Sequence, residues 1–243
     1  MSEQPVALVT GSAAGIGAAI ASRLAEEGYR VVVNSVRSTE AGQKLADSLP
    51  GAIYLRADVS DPREASGLVT GTVERLGRLD VLVNNAGVTQ QIPHSDLDAV
   101  TPQVWHEILD LNVIGTWQLT VAAMPHLREG GDGCIINVSS LAGSRQVGSS
   151  IPYAVSKAAL DHMTRLLANT VGPEVRVNAV APGLIDTEWT AGWSDIRARV
   201  EKAAPLRRSG QPDDVADAVL GLVRSRYTTG VVVLVDGGMH LTQ

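Results

Sequence analysis

Seven short apolar runs alternate with stretches of helical pattern, and this alternation constrains the fold more than any other feature of the chain. The runs are nearly free of polar residues, which is typical of strands buried on both faces of a parallel sheet. We therefore predict an α/β fold, a doubly wound parallel sheet of about seven strands with helices on both faces. The predicted strands are Val6–Thr10, Val31–Val33, Ile53–Leu55, Leu79–Val83, Cys134–Val138, Val175–Val180 and Val231–Val235.

No linker and no repeat divides the chain, so we predict one domain over residues 1–243. Its longest irregular stretch, residues 183–210, is expected to form a substrate-binding excursion. The residues Asp61–Glu64 combine a cap, a proline and a glutamate reaching back to the cap, which predicts a helix start. Thr101 and Pro102 open a second helix, predicted to run through Leu127.

Composition excludes several classes of protein. A net charge of −6 argues against a nucleic-acid surface, which needs clustered Lys and Arg. The single cysteine, Cys134, excludes an internal disulfide framework and fits a cytoplasmic location. No apolar run reaches the length of a membrane span, no signal peptide precedes Val6, and no metal-ligand cluster is visible.

A glycine-rich turn joins the first predicted strand to the first predicted helix. Glycines at such a turn let backbone N–H groups approach phosphate oxygens, and the helix N-terminus adds partial positive charge. The spacing matches neither the G-x-G-x-x-G fingerprint nor a P-loop, so a tight turn without a ligand is the alternative. Its place at the first strand–helix turn favours a dinucleotide. The predicted binding residues are Gly11, Ser12, Gly15, Ile16 and Gly17.

The end of the second strand predicts the type of dinucleotide. An acidic residue there would accept from both ribose hydroxyls, whereas arginine would accommodate a 2′-phosphate. This chain has Arg37 and no carboxylate over residues 34–38, and the hydroxyl of Ser35 or Ser38 could assist. NADP(H) is therefore favoured over NAD(H), with a solvent-facing Arg37 as the alternative.

Tyr153 and Lys157 are four residues apart in the helix predicted to start near Pro152, and so share one face. A phenol beside an ammonium can move a proton, and the positive charge should lower the tyrosine pKa. Ser140, at the end of the preceding strand, could supply a hydroxyl to the same place. An ordinary exposed pair is the alternative.

These blocks, in this order, resemble the short-chain dehydrogenase/reductase family over about Val6 to Gly238, and the resemblance implies a Rossmann-type fold. It implies that Tyr153 is the general acid or base and that Ser140 stabilises the substrate oxygen. It also implies that Lys157 tunes the tyrosine and holds the nicotinamide ribose, with Asn112 fixing a water of a proton relay. A mid-helix Asn112 that merely bonds a backbone carbonyl is the alternative. The further implied cofactor contacts are Asp58, Val59, Asn85, Ala86, Gly87, Pro182, Gly183, Ile185 and Thr187.

The expected reaction is hydride transfer between NADP(H) and a small ketone or secondary alcohol. Trp189 and Trp193 suggest an apolar cavity, although core or subunit contacts would explain them as well. A 3-oxoacyl-acyl-carrier-protein reductase is the first alternative. The turns at residues 130–132 and 173–174, where relatives of that kind carry basic residues, are neutral to acidic here, which argues against an acidic carrier. A non-catalytic dinucleotide-binding protein is the second alternative.

The resemblance also implies self-association as a homotetramer or homodimer. The expected contacts are the helices over residues 102–127 and 152–170, with the last strand near another interface. We expect neither a nucleic acid nor a membrane as a partner.

Overall fold

The computed structural model describes residues 4–242, so both ends of the predicted 1–243 domain lie outside the described residues. The branched apolar runs form seven parallel strands in one sheet, in the order β3-β2-β1-β4-β5-β6-β7. This confirms the predicted doubly wound sheet. The strands are β1 Val6–Val9, β2 Arg30–Ser35, β3 Ile53–Arg56, β4 Val81–Asn84, β5 Gly133–Val138, β6 Val175–Pro182 and β7 Val232–Val235.

Helices cover both faces of the sheet because the strands between them are apolar on both sides. One apolar cluster joins Ile20 and Leu24 to Val219, and the other joins Leu68 to Leu119 and Leu127. Every residue of β1, β5 and β6 is buried. The helices are α1 Gly15–Glu26, α2 Thr39–Ser48, α3 Pro62–Leu76, α4 Pro102–Leu109, α5 Thr116–Glu129, α6 Ile151–Val171, α7 Ser194–Ala203 and α8 Pro212–Arg224.

The helix predicted from Pro102 through Leu127 is not uniformly α-helical. A π-helical turn, Asp110–Gly115, joins α4 to α5 and carries Asn112. Apolar periodicity does not distinguish this wider turn from an α-helix, so the sequence prediction was wrong on this point. At its end, a Cβ on Gly115 would lie 2.7 Å from the carbonyl oxygen of Val59, so the chain packs closely there.

Several local predictions also need correction, since Thr10 lies outside β1 and β4 begins at Val81 rather than at Leu79. Val231 lies outside β7, although its N–H donates to the Asn178 side chain at 3.2 Å. Glu64 accepts from the N–H of Asp58 at 2.8 Å rather than from that of the cap, Asp61. Asp61 does cap α3, since its carboxylate accepts from two N–H groups of the first turn. The helix start is therefore confirmed, but the reciprocal half of the capping box reaches one turn further back.

The order of the strands determines where a ligand can bind. The chain runs outward from β1 through β2 to β3, then returns to the other side of β1 with β4. In such sheets the crevice forms at this reversal, outside the carboxyl ends of the strands. The predicted excursion at residues 183–210 leaves the same edge after β6 and contains the short 3₁₀ turn Glu188–Thr190 and α7.

Two possible features are absent from the part of the chain that the structure describes. None of its helices combines the length and apolar character needed to span a bilayer. Over residues 4–242, His, Cys, Asp and Glu side chains form no group of three or more suited to a metal ion.

Candidate active site

The turn after β1 can form only with glycine at several of its positions. Gly11 and Gly15 have φ of +61° and +55°, in the left-handed region that side chains disfavour. A Cβ on Gly17 would lie 2.5 Å from the carbonyl oxygen of Gly11. A Cβ on Gly15 would lie 3.3 Å from the methyl carbon of Thr187, so the turn and the excursion after β6 meet here. Ile16 follows in the first turn of α1, half-buried against the core.

Polar side chains from neighbouring strands hold this turn in place. The N–H of Ser12 donates to the Asn34 carbonyl at 2.8 Å, and the Ser12 hydroxyl donates to the carbonyl of Val9 at 2.7 Å. The Asn85 amide donates to the carbonyls of Thr10 and Gly11 at 2.9 and 3.0 Å. The side chains of Ser12 and Asn85, predicted to touch the cofactor, therefore also build the turn.

The predicted adenosine end lies after β2, and its two polar residues differ in availability. The Ser35 hydroxyl is buried and lies 2.9 Å from the Tyr54 hydroxyl, so it already has a partner. Arg37 is exposed and makes no ion pair or hydrogen bond with any residue over the range 4–242. Next to this end, the Asp58 carboxylate accepts from Ser60 at 2.6 Å, just before Val59.

The loop after β4 brings Gly87 against two predicted catalytic residues. A Cβ at Gly87 would lie 3.3 Å from the side-chain oxygen of Asn112 and 3.7 Å from the Lys157 nitrogen. One residue earlier, Ala86 packs over Gly11. A Cβ added to Gly11 would lie 2.9 Å from the Cα of Ala86. The ends of β1 and β4 and the start of α6 thus meet at one place.

Asn112 is buried, and its side chain is fully engaged. Its oxygen accepts from the N–H of Val88 at 2.8 Å. Its amide donates to the carbonyl of Val88 and to the hydroxyl of Ser156, both at 3.0 Å. Asn112 therefore fixes the loop after β4 to α6. The backbone groups that it binds belong to that loop rather than to its own helix. The relay expected of it stays a prediction.

Tyr153 and Ser140 are brought together by the start of α6. The Ser150 hydroxyl caps this helix by accepting from the N–H of Tyr153, and Pro152 occupies its first turn. Loss of solvent contact raises the pKa of the Tyr153 phenol, and a hydrogen bond with the Ser140 side chain lowers it in part. Ser140 also accepts from the N–H of Ala142 at 3.2 Å, which fixes its own loop.

Lys157 is 5% exposed, and its ammonium donates to the carbonyl of Val138 at 2.8 Å. It lies 5.6 Å from the centre of the Tyr153 ring. Burial lowers the pKa of Lys157 to about 8, against an opposing effect of Asp161. In the chain alone the direction is opposite to the predicted one: the pKa of Tyr153 is raised, because desolvation outweighs the hydrogen bond with Ser140.

The remaining predicted contacts follow the end of β6. Pro182 ends that strand, and a Cβ on Gly183 would lie 3.0 Å from the Cα of Asp236. Ile185 is buried and bridges to Gly210, which closes the excursion on itself. Thr187, which meets Gly15, is the member of this group that reaches the glycine turn.

Sequence reasoning missed Asp161, Ser150 and the carbonyl of Val138. Asp161 could have been found, because it lies four residues after Lys157 and so on the same helix face. The part played by a backbone carbonyl leaves no signal in side-chain identity. Ser150 stands before Pro152 as a helix cap does, and this signal was present but unused.

The two turns whose charge was expected to disfavour an acidic carrier lie at the opposite edge of the sheet from Ser140. Residues 130–132 precede β5 and residues 173–174 precede β6, whereas Ser140 follows the carboxyl end of β5. β5 has six residues, a length of about 20 Å. Within one chain their charge therefore lies about 20 Å from the crevice, so its effect there on an acidic carrier is largely screened.

Comparison with known proteins decides the family. A family model described as enoyl-(acyl carrier protein) reductase matches residues 11–240. The chain is 66% identical over 242 residues to a candidate ketoacyl reductase 2 of the granaticin polyketide synthase of Streptomyces violaceoruber, covering 98% of this chain and 97% of that protein. A candidate short-chain dehydrogenase/reductase from Burkholderia xenovorans superposes with a TM-score of 0.92 at 34% identity, covering 99% and 100% of the two chains. The chain belongs to the short-chain dehydrogenase/reductase family.

This short-chain dehydrogenase/reductase is thus an oxidoreductase of the kind that uses a nicotinamide dinucleotide. Its relatives include enzymes named for different substrates. An L-fucose dehydrogenase of Oryctolagus cuniculus is 38% identical over 248 residues, covering 97% of this chain and 85% of that protein. The glycine turn suits such a cofactor, since it brings the N-terminus of α1 and its backbone N–H groups to the carboxyl end of β1.

Proposed function

We propose that this enzyme reduces a ketone to a secondary alcohol with NADPH, with Tyr153 as the proton donor. The observation that carries the proposal is the meeting of a phenol, a hydroxyl and an ammonium at the crevice, beside the glycine turn. Such a set of groups can protonate and stabilise an oxygen as its carbon is reduced.

The protein's own residues divide this task. NADPH, when bound, supplies the hydride. Tyr153, whose phenol carries its proton at neutral pH, donates that proton to the substrate oxygen. Ser140 donates a hydrogen bond to the same oxygen as negative charge develops on it. Lys157 places a positive charge at the ring of Tyr153. The same charge lies close to Gly87, where it can interact with a bound ligand.

The preference for NADPH rests on Arg37. Its guanidinium is exposed after β2 and is free of other ion pairs within the described residues, so it can pair with a 2′-phosphate without breaking a bond. Neither Ser35 nor Asn34 adds a carboxylate that would repel that phosphate. The Ser35 hydroxyl contributes less than the sequence suggested, because it is held by Tyr54.

For the substrate we favour a ketoacyl chain borne on an acidic carrier protein. The relative with 66% identity is named for ketoacyl reduction in polyketide synthesis. The segment at residues 194–208 carries five basic and two acidic side chains in a chain whose net charge is −6. Arg197 and Arg208 pair with Asp186 and Asp214. Three further cations, Arg199, Lys202 and Arg207, are exposed and make no ion pair within residues 4–242.

This basic segment follows β6 on the edge of the sheet that carries Ser140, so it can attract an acidic partner to the crevice. Arg207 also has φ of +53°, a conformation that costs energy for a residue with a side chain. A small free ketone or alcohol is the second candidate. It is favoured by the L-fucose dehydrogenase relative, whose named substrate is a free sugar.

One kinetic comparison tests the reaction and the substrate together. NADPH oxidation is followed with acetoacetyl carrier protein and with the N-acetylcysteamine thioester of the same acyl group. We expect turnover with both and a higher kcat/KM with the carrier, reduced toward the thioester value in Lys202→Glu and at high salt. Equal kcat/KM values would favour the free substrate. If no ketone of a broad panel supported NADPH oxidation, the result would favour a non-catalytic dinucleotide-binding protein.

A further inference from the structure

A buried carboxylate lies one helical turn beyond Lys157, and the reaction proposed above does not use it. Asp161 is 5% exposed and follows Lys157 by four residues, so both side chains lie on the same face of α6. A buried carboxylate without compensation is costly, and such groups are therefore paired or strongly hydrogen-bonded.

The carboxylate is packed beneath the loop that carries Ser140. A Cβ on Gly143 would lie 2.8 Å from the Oδ2 atom of Asp161, so only glycine fits above it. The Ser139 hydroxyl has one proton, which it can donate either to the Asp161 carboxylate or to the carbonyl of Lys157, the latter at 3.2 Å. The Oδ1 atom of Asp161 is buried and has no hydrogen-bond partner within the described residues.

The charged groups around this carboxylate are few. Burial raises the pKa of Asp161, and the cations that oppose this effect within residues 4–242 are Arg165 and Lys157, both on α6. In the same range Asp161 is the one charged side chain whose field acts on Lys157. Tyr153, on the other side of Lys157, is uncharged as a phenol. The elements packed against this face contribute the uncharged groups of Asn112, Ser139 and Ser140.

We propose that Asp161 is a positioning residue, whose buried negative charge keeps Lys157 protonated and bound to the carbonyl of Val138. Because the Oδ1 atom of Asp161 has no hydrogen-bond donor among the described residues, the ionised carboxylate depends on the cations of α6 for compensation. Burial alone would drive the proton off Lys157, and a fixed carboxylate one turn away opposes this. The effect on turnover rests on the proposed function, whereas the effect on the charge of Lys157 does not.

The chain has three lysines, Lys44, Lys157 and Lys202, which makes a direct titration practical. The ¹³Cε signal of Lys157 is followed against pH in the wild type, in Asp161→Asn and in Asp98→Asn. Asp98 is an exposed loop carboxylate and provides the matched change of charge. We expect the Lys157 midpoint to fall by about one pH unit in Asp161→Asn and to stay in place in Asp98→Asn.

The basic limb of the kcat/KM profile should move to lower pH by the same amount in Asp161→Asn, while the kcat at pH 6 changes less. An unmoved Lys157 midpoint in Asp161→Asn would overturn the proposal. Should that variant fail to fold, the ¹³Cγ signal of Asp161 in the wild type decides: an ionised carboxylate at pH 7 supports the proposal and a protonated one overturns it. Activity retained by Tyr153→Phe would remove the proposed function without affecting either titration.

Discussion

The ammonium of Lys157 donates to the carbonyl oxygen of Val138 at 2.8 Å, which ties α6 to the last residue of β5. That bond holds a buried positive charge directly below the loop that carries Ser140. The charge is retained at a cost, because burial lowers the pKa of Lys157 from 10.5 to about 8. Such a cost is characteristic of groups kept for chemistry rather than for stability.

Replacement of Lys157 by methionine should abolish activity and remove one pH-dependent contribution to stability, while its net effect also includes the loss of the bond to Val138 and of the charge beside Asp161. Below pH 8 both the folded and the unfolded wild-type chain carry the proton, and the folded state bears the full penalty of burying the charge. Above that pH the folded state loses its proton first, so the wild-type free energy of unfolding rises toward pH 10.5. Urea unfolding should show the gap in free energy of unfolding between the wild type and Lys157→Met shifting in favour of the wild type by about 2 kcal/mol from pH 7 to pH 9.5. A gap that does not depend on pH would contradict this.

Substitution of Gly15 should damage cofactor binding beyond its effect on the backbone. Gly15 and Gly77 both have positive φ, but a Cβ at Gly77 meets nothing within 4 Å whereas one at Gly15 presses on Thr187 at 3.3 Å. Gly15→Ala and Gly77→Ala should lose similar stability, about 1 kcal/mol. We expect only Gly15→Ala to weaken the binding of NADPH, measured by fluorescence titration. Equal binding by the two variants would remove the glycine turn from the site.

Removal of the Arg37 guanidinium should reduce the preference for NADPH. A charge-assisted contact with a phosphate corresponds to about 1.5–3 kcal/mol, so Arg37→Ala should raise the KM for NADPH by roughly ten- to a hundredfold. The KM for NADH should stay unchanged. Arg56→Ala is the matched control, since Arg56 is also exposed on this side but pairs with Glu64 at 3.8 Å. An unchanged KM for NADPH in Arg37→Ala would refute the assignment.

Self-association should depend on the outer faces of α5 and α6. Trp117 and Val121 are exposed on α5, and Val155 and Leu166 on α6, which leaves apolar side chains uncovered in a single chain. Sedimentation should show a dimer or tetramer for the wild type and dissociation in Leu166→Glu. Leu97→Glu, at an exposed apolar loop residue, should keep the wild-type state. A monomeric wild type at micromolar concentration would contradict the prediction.

The sheet could be predicted from the sequence because each strand is a continuous apolar run, and the helix starts at Asp61 and Pro152 carry explicit signals. Three features could not. The π-helical turn around Asn112 has the same apolar periodicity as an α-helix. The hydrogen bond between Ser35 and Tyr54 joins two strands, and a local sequence pattern does not predict such contacts. The balance between burial and hydrogen bonding at Tyr153 depends on the packed site, so residue types alone predicted the wrong direction for its pKa.

Tyr153 as the proton donor is tested most directly by the rate of NADPH oxidation in the Tyr153→Phe variant, with a ketone substrate present. Phenylalanine keeps the ring but removes the proton donor, whose contribution to such reactions is about 10²–10⁴-fold. We predict a loss of kcat within that range or greater, with NADPH bound as tightly as in the wild type. A variant that keeps its wild-type kcat would contradict the assignment of Tyr153 as the acid.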